Sequence, residues 1–215
     1  PSPTGVGRLM TYDSSRGVTI LFGGSVGSEG LEDMWEWDGE NWNEQTLSNL
    51  RPPARGGSAI AHDYSRGATI LFGGYAEYVR LQDTWELQGD TWNERTPKGP
   101  GPLGRSLAPL IYDPVRDATT LFGGRSQAGE LFDDLWLYED KEWAEYITEG
   151  TTPLARYGHT MAFDTARGVT LLFGGRAGNE SFQDTWEWDG HIWTDRTPEG
   201  PNPLARYWHT MAFDT

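Results

Sequence analysis

A four-residue string, Leu-Phe-Gly-Gly, recurs along the chain and constrains the fold more than any other feature of the sequence. Its copies begin at Leu21, Leu71, Leu121 and Leu172, a spacing of about 50 residues. Two Trp residues follow each copy at matching distances, the second seven positions after the first: Trp35 and Trp42, Trp85 and Trp92, Trp136 and Trp143, and Trp186 and Trp193. A fixed period of this length predicts an array of one supersecondary unit.

The unit itself is predicted to be four short antiparallel strands. In the fourth copy, alternation and turn residues indicate strands over 157–163, 169–173, 185–188 and 192–196. A tight turn from Asp164 to Gly168 joins the first two, and Asp189-Gly190 is a two-residue hairpin signal between the last two. The Pro-rich segment 197–203 cannot continue a strand ladder, so it leads to the next unit.

These residues resemble the kelch repeat, in which a double glycine ends the second strand and two aromatic residues mark the third and fourth. The resemblance covers essentially the whole chain and recurs four times in register, with Trp where the family more often has Tyr at the first aromatic position. It implies an all-β chain, a kelch-type β-propeller with one four-stranded blade per copy. The blades are predicted at residues 1–46, 47–96, 97–148 and 149–197.

Residues 198–215 are predicted to supply the first strand of a fifth blade. The segments 153–165 and 203–215 differ at one position, where Gly158 is replaced by Trp208. Kelch proteins that resemble this chain close with six or seven blades, so we expect the 215 residues to be part of a larger ring or of an assembly. An alternative is a four-bladed ring in which 207–213 displaces 8–12 from the first blade.

Composition and charge exclude several functions. The formal net charge of −15 repels phosphate backbones, so no nucleic-acid partner is expected. The absence of Cys excludes disulfides, thiolate metal sites and a Cys nucleophile. No apolar run approaches the roughly 18 residues of a membrane span, and no membrane insertion is expected.

Arginines are the main candidates for ligand binding. The loop after each double glycine and the Pro-rich segment between blades are expected on one face. Arg forks there suit carboxylate, phosphate or sulfate groups, and arginines at matching places of some kelch proteins engage acidic peptides. The candidates are Arg55, Arg105, Arg156 and Arg206 before the first strands, and Arg125 and Arg176 after the double glycine. The competing interpretation pairs the first group with an Asp that recurs before the third strand: Asp33, Asp83, Asp134 and Asp184.

Aromatic residues and two histidines complete the predicted ligand-binding set. Tyr75, Tyr157 and Trp208 differ between equivalent copies, as do Tyr78 and Arg80, and give this face an aromatic and cationic character. His159 and His209 are repeat equivalents on first strands, where we expect hydrogen-bonded rings lining the central channel. Two histidines a blade apart bring too few ligands for a metal site, so neither metal nor cofactor is predicted.

The leading functional hypothesis is a non-catalytic scaffold that binds a protein or a glycan through its loop face. No nucleophile elbow, phosphate loop, zinc-protease helix or dinucleotide fingerprint occurs in the sequence. The alternatives are a carbohydrate-active enzyme similar to sialic acid mutarotase, and a self-assembling repeat protein that associates through open blade edges. Resemblance to kelch arrays of bacterial surface proteins places the chain outside the cell or on its surface.

Overall fold

The computed structural model describes residues 2–27, 29–46, 50–97 and 99–214. Within these ranges the secondary structure consists of short strands, turns and loops, without a helix. Accordingly, this part of the chain holds no helix long and apolar enough to cross a membrane.

The first two blades each contain four main strands and a small hairpin. Blade 1 comprises β1 (Leu9–Asp13), β2 (Val18–Phe22), β3 (Ser25–Val26), β4 (Glu29–Gly30), β5 (Met34–Trp37) and β6 (Trp42–Glu44). Blade 2 comprises β7 (Ala59–Asp63), β8 (Ala68–Phe72), β9 (Tyr75–Ala76), β10 (Val79–Arg80), β11 (Thr84–Gln88) and β12 (Thr91–Glu94). The four-stranded sheets run β1-β2-β5-β6 and β7-β8-β11-β12, and β3-β4 and β9-β10 are separate hairpins.

Blades 3 and 4 repeat the four main strands, and blade 4 also repeats the small hairpin. Blade 3 comprises β13 (Leu110–Asp113), β14 (Ala118–Phe122), β15 (Leu135–Glu139) and β16 (Glu142–Tyr146). Blade 4 comprises β17 (Thr160–Asp164), β18 (Val169–Phe173), β19 (Arg176–Ala177), β20 (Glu180–Ser181), β21 (Thr185–Trp188) and β22 (Trp193–Asp195). Their main sheets run β13-β14-β15-β16 and β17-β18-β21-β22, and all pairs are antiparallel.

The repeat places the first Trp of every copy in the same environment. Each is at most 8% exposed and pairs with the Leu of its Leu-Phe-Gly-Gly string: Trp35 with Leu21, Trp85 with Leu71, Trp136 with Leu121 and Trp186 with Leu172. Each indole N–H also donates to the Asp two residues before it, over 2.5–2.7 Å. This equivalence confirms the kelch-type β-propeller architecture, with four complete four-stranded blades, that the sequence predicts.

The second Trp of a blade packs against the preceding blade. Ring centroids lie 5.2–5.5 Å apart in three such pairs, Phe22 with Trp92, Phe72 with Trp143, and Phe122 with Trp193. Burial of aromatic rings between neighbouring sheets is the main apolar contribution to blade stacking. The first strands also lie side by side, β1 beside β7, β7 beside β13 and β13 beside β17.

The predicted strand at 207–213 is not formed. Residues 206–209 do follow the path of 156–159, since Arg206 N donates to Phe182 O at 3.1 Å and His209 Nε2 lies 2.9 Å from Thr160 Oγ1. No ladder forms over 207–213, because a strand requires a hydrogen-bonded neighbour and none lies beside it in the described chain. The four-bladed ring alternative is also wrong for this structure, because β1 remains paired with β2.

The main strands of each blade fall inside the intervals 1–46, 47–96, 97–148 and 149–197. Leu47, at the start of the second interval, and Thr215, at the end of the segment 198–215, lie outside the described residues. The blade boundaries therefore stay predictions.

Candidate ligand-binding face

Two sets of loops meet on one side of the propeller, as the repeat predicts. We call this side the loop face: it contains the segments after the double glycines (25–33, 75–83, 125–134 and 176–184) and the inter-blade segments (51–58, 101–108, 152–159 and 202–209). The second glycine of each pair donates its N–H to the next inter-blade segment, to the carbonyls of Arg55, Arg105, Arg156 and Arg206, over 2.8–3.1 Å. The close approach explains the first glycine of the pair, because a Cβ on Gly73 would lie 2.6 Å from Arg105 O.

Three of the predicted arginines are buried in ion pairs. Arg55, Arg105 and Arg156 are at most 1% exposed. Each guanidinium donates from Nη1 and Nη2 to the two oxygens of one carboxylate, that of Asp83, Asp134 and Asp184 respectively. Each also donates to a carbonyl of the first glycine in its own blade, Gly73, Gly123 or Gly174. The structure therefore contains the Arg–Asp pair that the sequence left as an alternative, and these side chains fix loops instead of facing a ligand.

Blade 1 builds the same ion pair from a different position. Gly5 stands where the other blades have Arg, but Arg8 reaches the equivalent place and donates to Asp33 through Nη1 at 3.0 Å and Nη2 at 2.8 Å. A Cβ on Gly24 would meet the Arg8 side chain, as one on Gly74 would meet Ser58. The sequence pattern missed Arg8 because its register is three residues later than that of Arg55.

Arg125 and Arg176 lie on the loop face over tyrosine rings of the next inter-blade segment. The Arg125 guanidinium carbon is 5.7 Å from the Tyr157 ring centroid, and that of Arg176 is 4.9 Å from the Tyr207 centroid. Arg176 Nη1 also donates to the Tyr207 hydroxyl at 2.9 Å. Arg176 Nε donates to Gly178 O as well, so its Nη2 is the nitrogen without a partner among the described residues and is able to take an anion.

Arg80, in blade 2, is a third loop-face arginine that lies over a tyrosine ring. Its guanidinium lies 5.1 Å from the Tyr75 ring centroid, and its backbone N–H donates to Gln127 of the neighbouring blade. Burial, with the positive charge of Arg125 as the second cause, lowers the pKa of Arg80 from its ordinary value. Two cations therefore lie close enough to repel each other on this face.

Four arginines of the loop face differ from the other arginines in having no acidic partner among the described residues. Of the 15 arginines in the sequence, 11 lie within 4.0 Å of a carboxylate oxygen. In the part of the chain that the structure describes, the four without one are Arg80, Arg125, Arg176 and Arg206. Arg206 is exposed, and its Nε donates only to Leu204 O. All four lie on the loop face, so the free cationic groups are concentrated there.

The hairpin of blade 2 that contains Tyr75 and Tyr78 borders a broad groove of about 1540 Å³ beside blade 1. Tyr75 is 41% exposed and Tyr78 is 90% exposed at its rim. Glu29, Glu32 and Glu77 also line it, and Glu32 pairs with Arg51. The groove is thus acidic. We call Arg80, Arg125 and Arg176 the cationic row: it begins with Arg80 at the edge of the groove and runs toward blade 4.

The two predicted histidines do not form a polar channel lining. His159 is 4% exposed and packs edge-to-face on Phe122, with ring centroids 5.7 Å apart. Burial, then the charges of Arg156 and His209, hold the pKa of His159 well below its ordinary value, so the ring is neutral at pH 7. His209 packs in the same way on Phe173. The described residues contain no group of three side chains placed to hold a metal ion.

The structure places Arg80, Tyr157 and Trp208, which the sequence indicated, along the cationic row and adds Tyr207 to it. Tyr157 bridges to Arg176 through its backbone, and Trp208 is 67% exposed beside Tyr207, with ring centroids 4.9 Å apart. Tyr207 could have been found from the sequence, because it is the repeat equivalent of Tyr157. Arg80 was indicated by the opposite signal, since it differs from the residues at that place in the other copies.

Comparison with known proteins agrees with this architecture. A family model described as the KLHDC2/KLHL20/DRC7 Kelch-repeats domain matches residues 113–215. No curated protein matches the chain. The matched part contains blade 4 and most of blade 3, and blades 1 and 2 share their strand order, register and buried Arg–Asp pairs. The chain is therefore a kelch-type β-propeller, and its residues 113–215 match the kelch-repeat family.

Proposed function

We propose that this chain is a non-catalytic binding scaffold whose loop face holds an acidic segment of a partner protein. The observation that carries the proposal is a row of three arginines, Arg80, Arg125 and Arg176, that have no carboxylate partner among the described residues, in a chain that has 32 acidic residues and a net charge of −15. Acidic residues are abundant enough to neutralise these cations, yet in the described part of the chain the carboxylates that form ion pairs with arginine all contact other arginines. A row of free guanidinium groups is suited to carboxylates supplied from outside.

The tyrosines support the same function. Tyr75, Tyr157 and Tyr207 each lie against one arginine, so the guanidinium groups are held at defined places. Pre-ordering of long side chains lowers the entropy cost of binding. An extended peptide that crosses blades 2 to 4 would meet one ordered cation in each blade.

The test is fluorescence anisotropy with two labelled ten-residue peptides of Gly and Ser, one containing four Glu and the other four Gln. At 0.15 M salt the Debye length is about 8 Å, so the local row outweighs the net charge of the chain. We expect the Glu peptide to bind at least tenfold more tightly than the Gln peptide, and Arg125→Glu to remove that preference.

Lys141→Glu is the matched control, because it makes the same change in net charge at an exposed site outside the loop face. It should leave binding of the Glu peptide within about twofold. Equal binding of both peptides, or equal losses in the two variants, would contradict the proposal. Sialyllactose that displaces the Glu peptide would instead support the glycan alternative.

A further inference from the structure

Two members of the cationic row, Arg80 and Arg125, make no side-chain hydrogen bond to any residue that the structure describes. Every other arginine donates from its guanidinium to at least one oxygen. That includes Arg176 and Arg206, which lack a carboxylate but have neutral acceptors. The fold therefore leaves the charge and the donors of two guanidinium groups unused.

These two arginines lie beside each other, although they belong to different blades. Arg80 ends β10 of blade 2, and its carbonyl oxygen would lie 2.7 Å from a Cβ on Gly104. Arg125 follows the double glycine of blade 3, and its N–H donates to Ser106 O at 3.0 Å. The two arginine backbones thus contact positions two residues apart in one inter-blade segment, and two residues span at most about 7 Å.

Further contacts hold this pair in place. Arg80 N donates to Gln127 Oε1 at 3.0 Å, which joins the two blades at this point. The rings of Tyr75 and Tyr157 lie under the guanidinium groups of Arg80 and Arg125, at 5.1 and 5.7 Å. After burial, the charge of Arg125 is the second cause of the lowered pKa of Arg80, so the two cations repel each other. Arg80 Nε is buried without an acceptor in the described chain, whereas its terminal nitrogens are not buried.

Carboxylates of the same loops do not neutralise the pair. Glu77 and Glu130 are exposed in the segments that contain Arg80 and Arg125, yet neither carboxylate lies within 4.0 Å of a guanidinium nitrogen. Blades 2 and 3 lie between blades 1 and 4, so both arginines have a complete blade on either side. Two adjacent cations that the fold does not pair form a place for an anion with more than one charge.

We propose that Arg80 and Arg125 together bind one phosphate monoester, carried by a phosphorylated residue of the acidic segment. This inference rests on the proposed function and names a second kind of anion that the loop face recognises. A phosphate monoester carries a charge of about −1.5 to −2 at pH 7 and has three acceptor oxygens, so it can accept from both guanidinium groups. A carboxylate carries one charge and neutralises one of them.

The experiment compares two labelled peptides of Gly, Ser and Glu that differ only at one central position, which is phosphoserine or Glu. In fluorescence anisotropy at 0.15 M salt, we expect the phosphoserine peptide to bind wild type about tenfold more tightly than the Glu peptide. In Arg80→Gln that ratio should fall to about threefold or less. The urea midpoint of Arg80→Gln should be unchanged or higher, because the Arg80 side chain has no ion pair to lose and is repelled by Arg125.

Two controls separate the pair from the rest of the cationic row and from net charge. Arg176→Gln should weaken both peptides and keep their tenfold ratio, and Lys141→Gln should leave both affinities within about twofold. Equal binding of the two peptides to wild type would overturn the phosphate site and leave the acidic segment intact, whereas failure of both to bind would overturn both proposals. A tenfold ratio that persists in Arg80→Gln, or inorganic phosphate that binds as tightly as the phosphoserine peptide, would also contradict this inference.

Discussion

The two copies of Pro-Leu-Ala-Arg-Tyr place the same arginine in opposite environments, which allows a matched test of the buried ion pair. Arg156 is fully buried, and its Nη1 and Nη2 donate to Asp184 at 2.7 and 2.8 Å. Arg206 is exposed and has no carboxylate partner among the described residues. The perturbation is Arg156→Met, with Arg206→Met as its control.

The expected cost follows from the contacts that Arg156 makes. Its loss removes the donors to Gly174 O and Leu154 O, and it removes a guanidinium 4.2 Å from the Phe182 ring centroid. Asp184 would keep only the Trp186 indole donor at 2.7 Å. Breaking a buried pair by removing one partner costs about 3–5 kcal/mol. Asp184 is 24% exposed and can be partly hydrated, so we expect about 3 kcal/mol for Arg156→Met.

The free energy of unfolding is measured by urea titration, followed by Trp fluorescence and far-UV circular dichroism. Arg206→Met should change it by at most about 0.5 kcal/mol, as is usual for an exposed substitution. Arg156→Lys, which keeps the charge but not the fork, should fall between the two variants. The reasoning would be refuted if Arg156→Met and Arg206→Met lowered the free energy of unfolding by amounts within about 1 kcal/mol of each other.

The pH dependence of this cost is a second readout. Burial raises the pKa of Asp184, but the bonds from Arg156 outweigh it and leave that pKa below the ordinary value of 3.8. The pair therefore stabilises the fold above about pH 4, and this contribution is lost as pH falls through the lowered pKa. The difference between Arg156→Met and wild type should shrink toward pH 3.

Three further predictions follow from single contacts. Gly190→Ala should cost about 1 kcal/mol, because its φ of +94° is a backbone conformation that residues with a Cβ disfavour, whereas Gly200→Ala, which meets nothing within 4 Å, should be neutral in the same urea assay. Burial lowers the pKa of His159, so the unfolded chain gains a proton below about pH 6.5 that the folded chain does not; His159→Ser should therefore reduce the loss of stability between pH 6.5 and 5 by up to about 1.4 kcal/mol per pH unit. Trp143→Phe should cost about 1 kcal/mol in thermal unfolding, because its indole donates at 2.8 Å to a threonine hydroxyl of the preceding blade.

The repeat made the blade architecture predictable from the sequence. Spacing and turn residues placed β18 and β21 within the fourth copy at their observed bounds, because tight Asp- and Gly-containing turns fix strand register locally. The strand at 207–213 could not be judged in this way. A strand depends on a neighbour, and repeat similarity alone does not supply one.

The environment of each arginine was harder to predict. Arg156 and Arg206 have identical neighbours in sequence, and they differ because Asp184 lies 28 residues beyond Arg156 and folds back onto it. Arg8 shows the same limit, since it forms the ion pair of blade 1 from a shifted register. Sequence pattern identified the kinds of side chain on the loop face, but three-dimensional pairing decides which of them are free.

The difference between paired and unpaired arginines also separates arginines that stabilise the fold from those that we propose bind a ligand. Arg55, Arg105 and Arg156 stabilise loops through buried carboxylates, so replacing them should affect unfolding first and binding only through lost structure. Arg125 and Arg176 form no such pair among the described residues. The tyrosine rings that they contact, Tyr157 and Tyr207, lie on the loop face. Their replacement should therefore change binding with little change in stability, because exposed substitutions away from ion pairs cost little. A chain in which both classes of arginine affected stability alike would have no distinct recognition row.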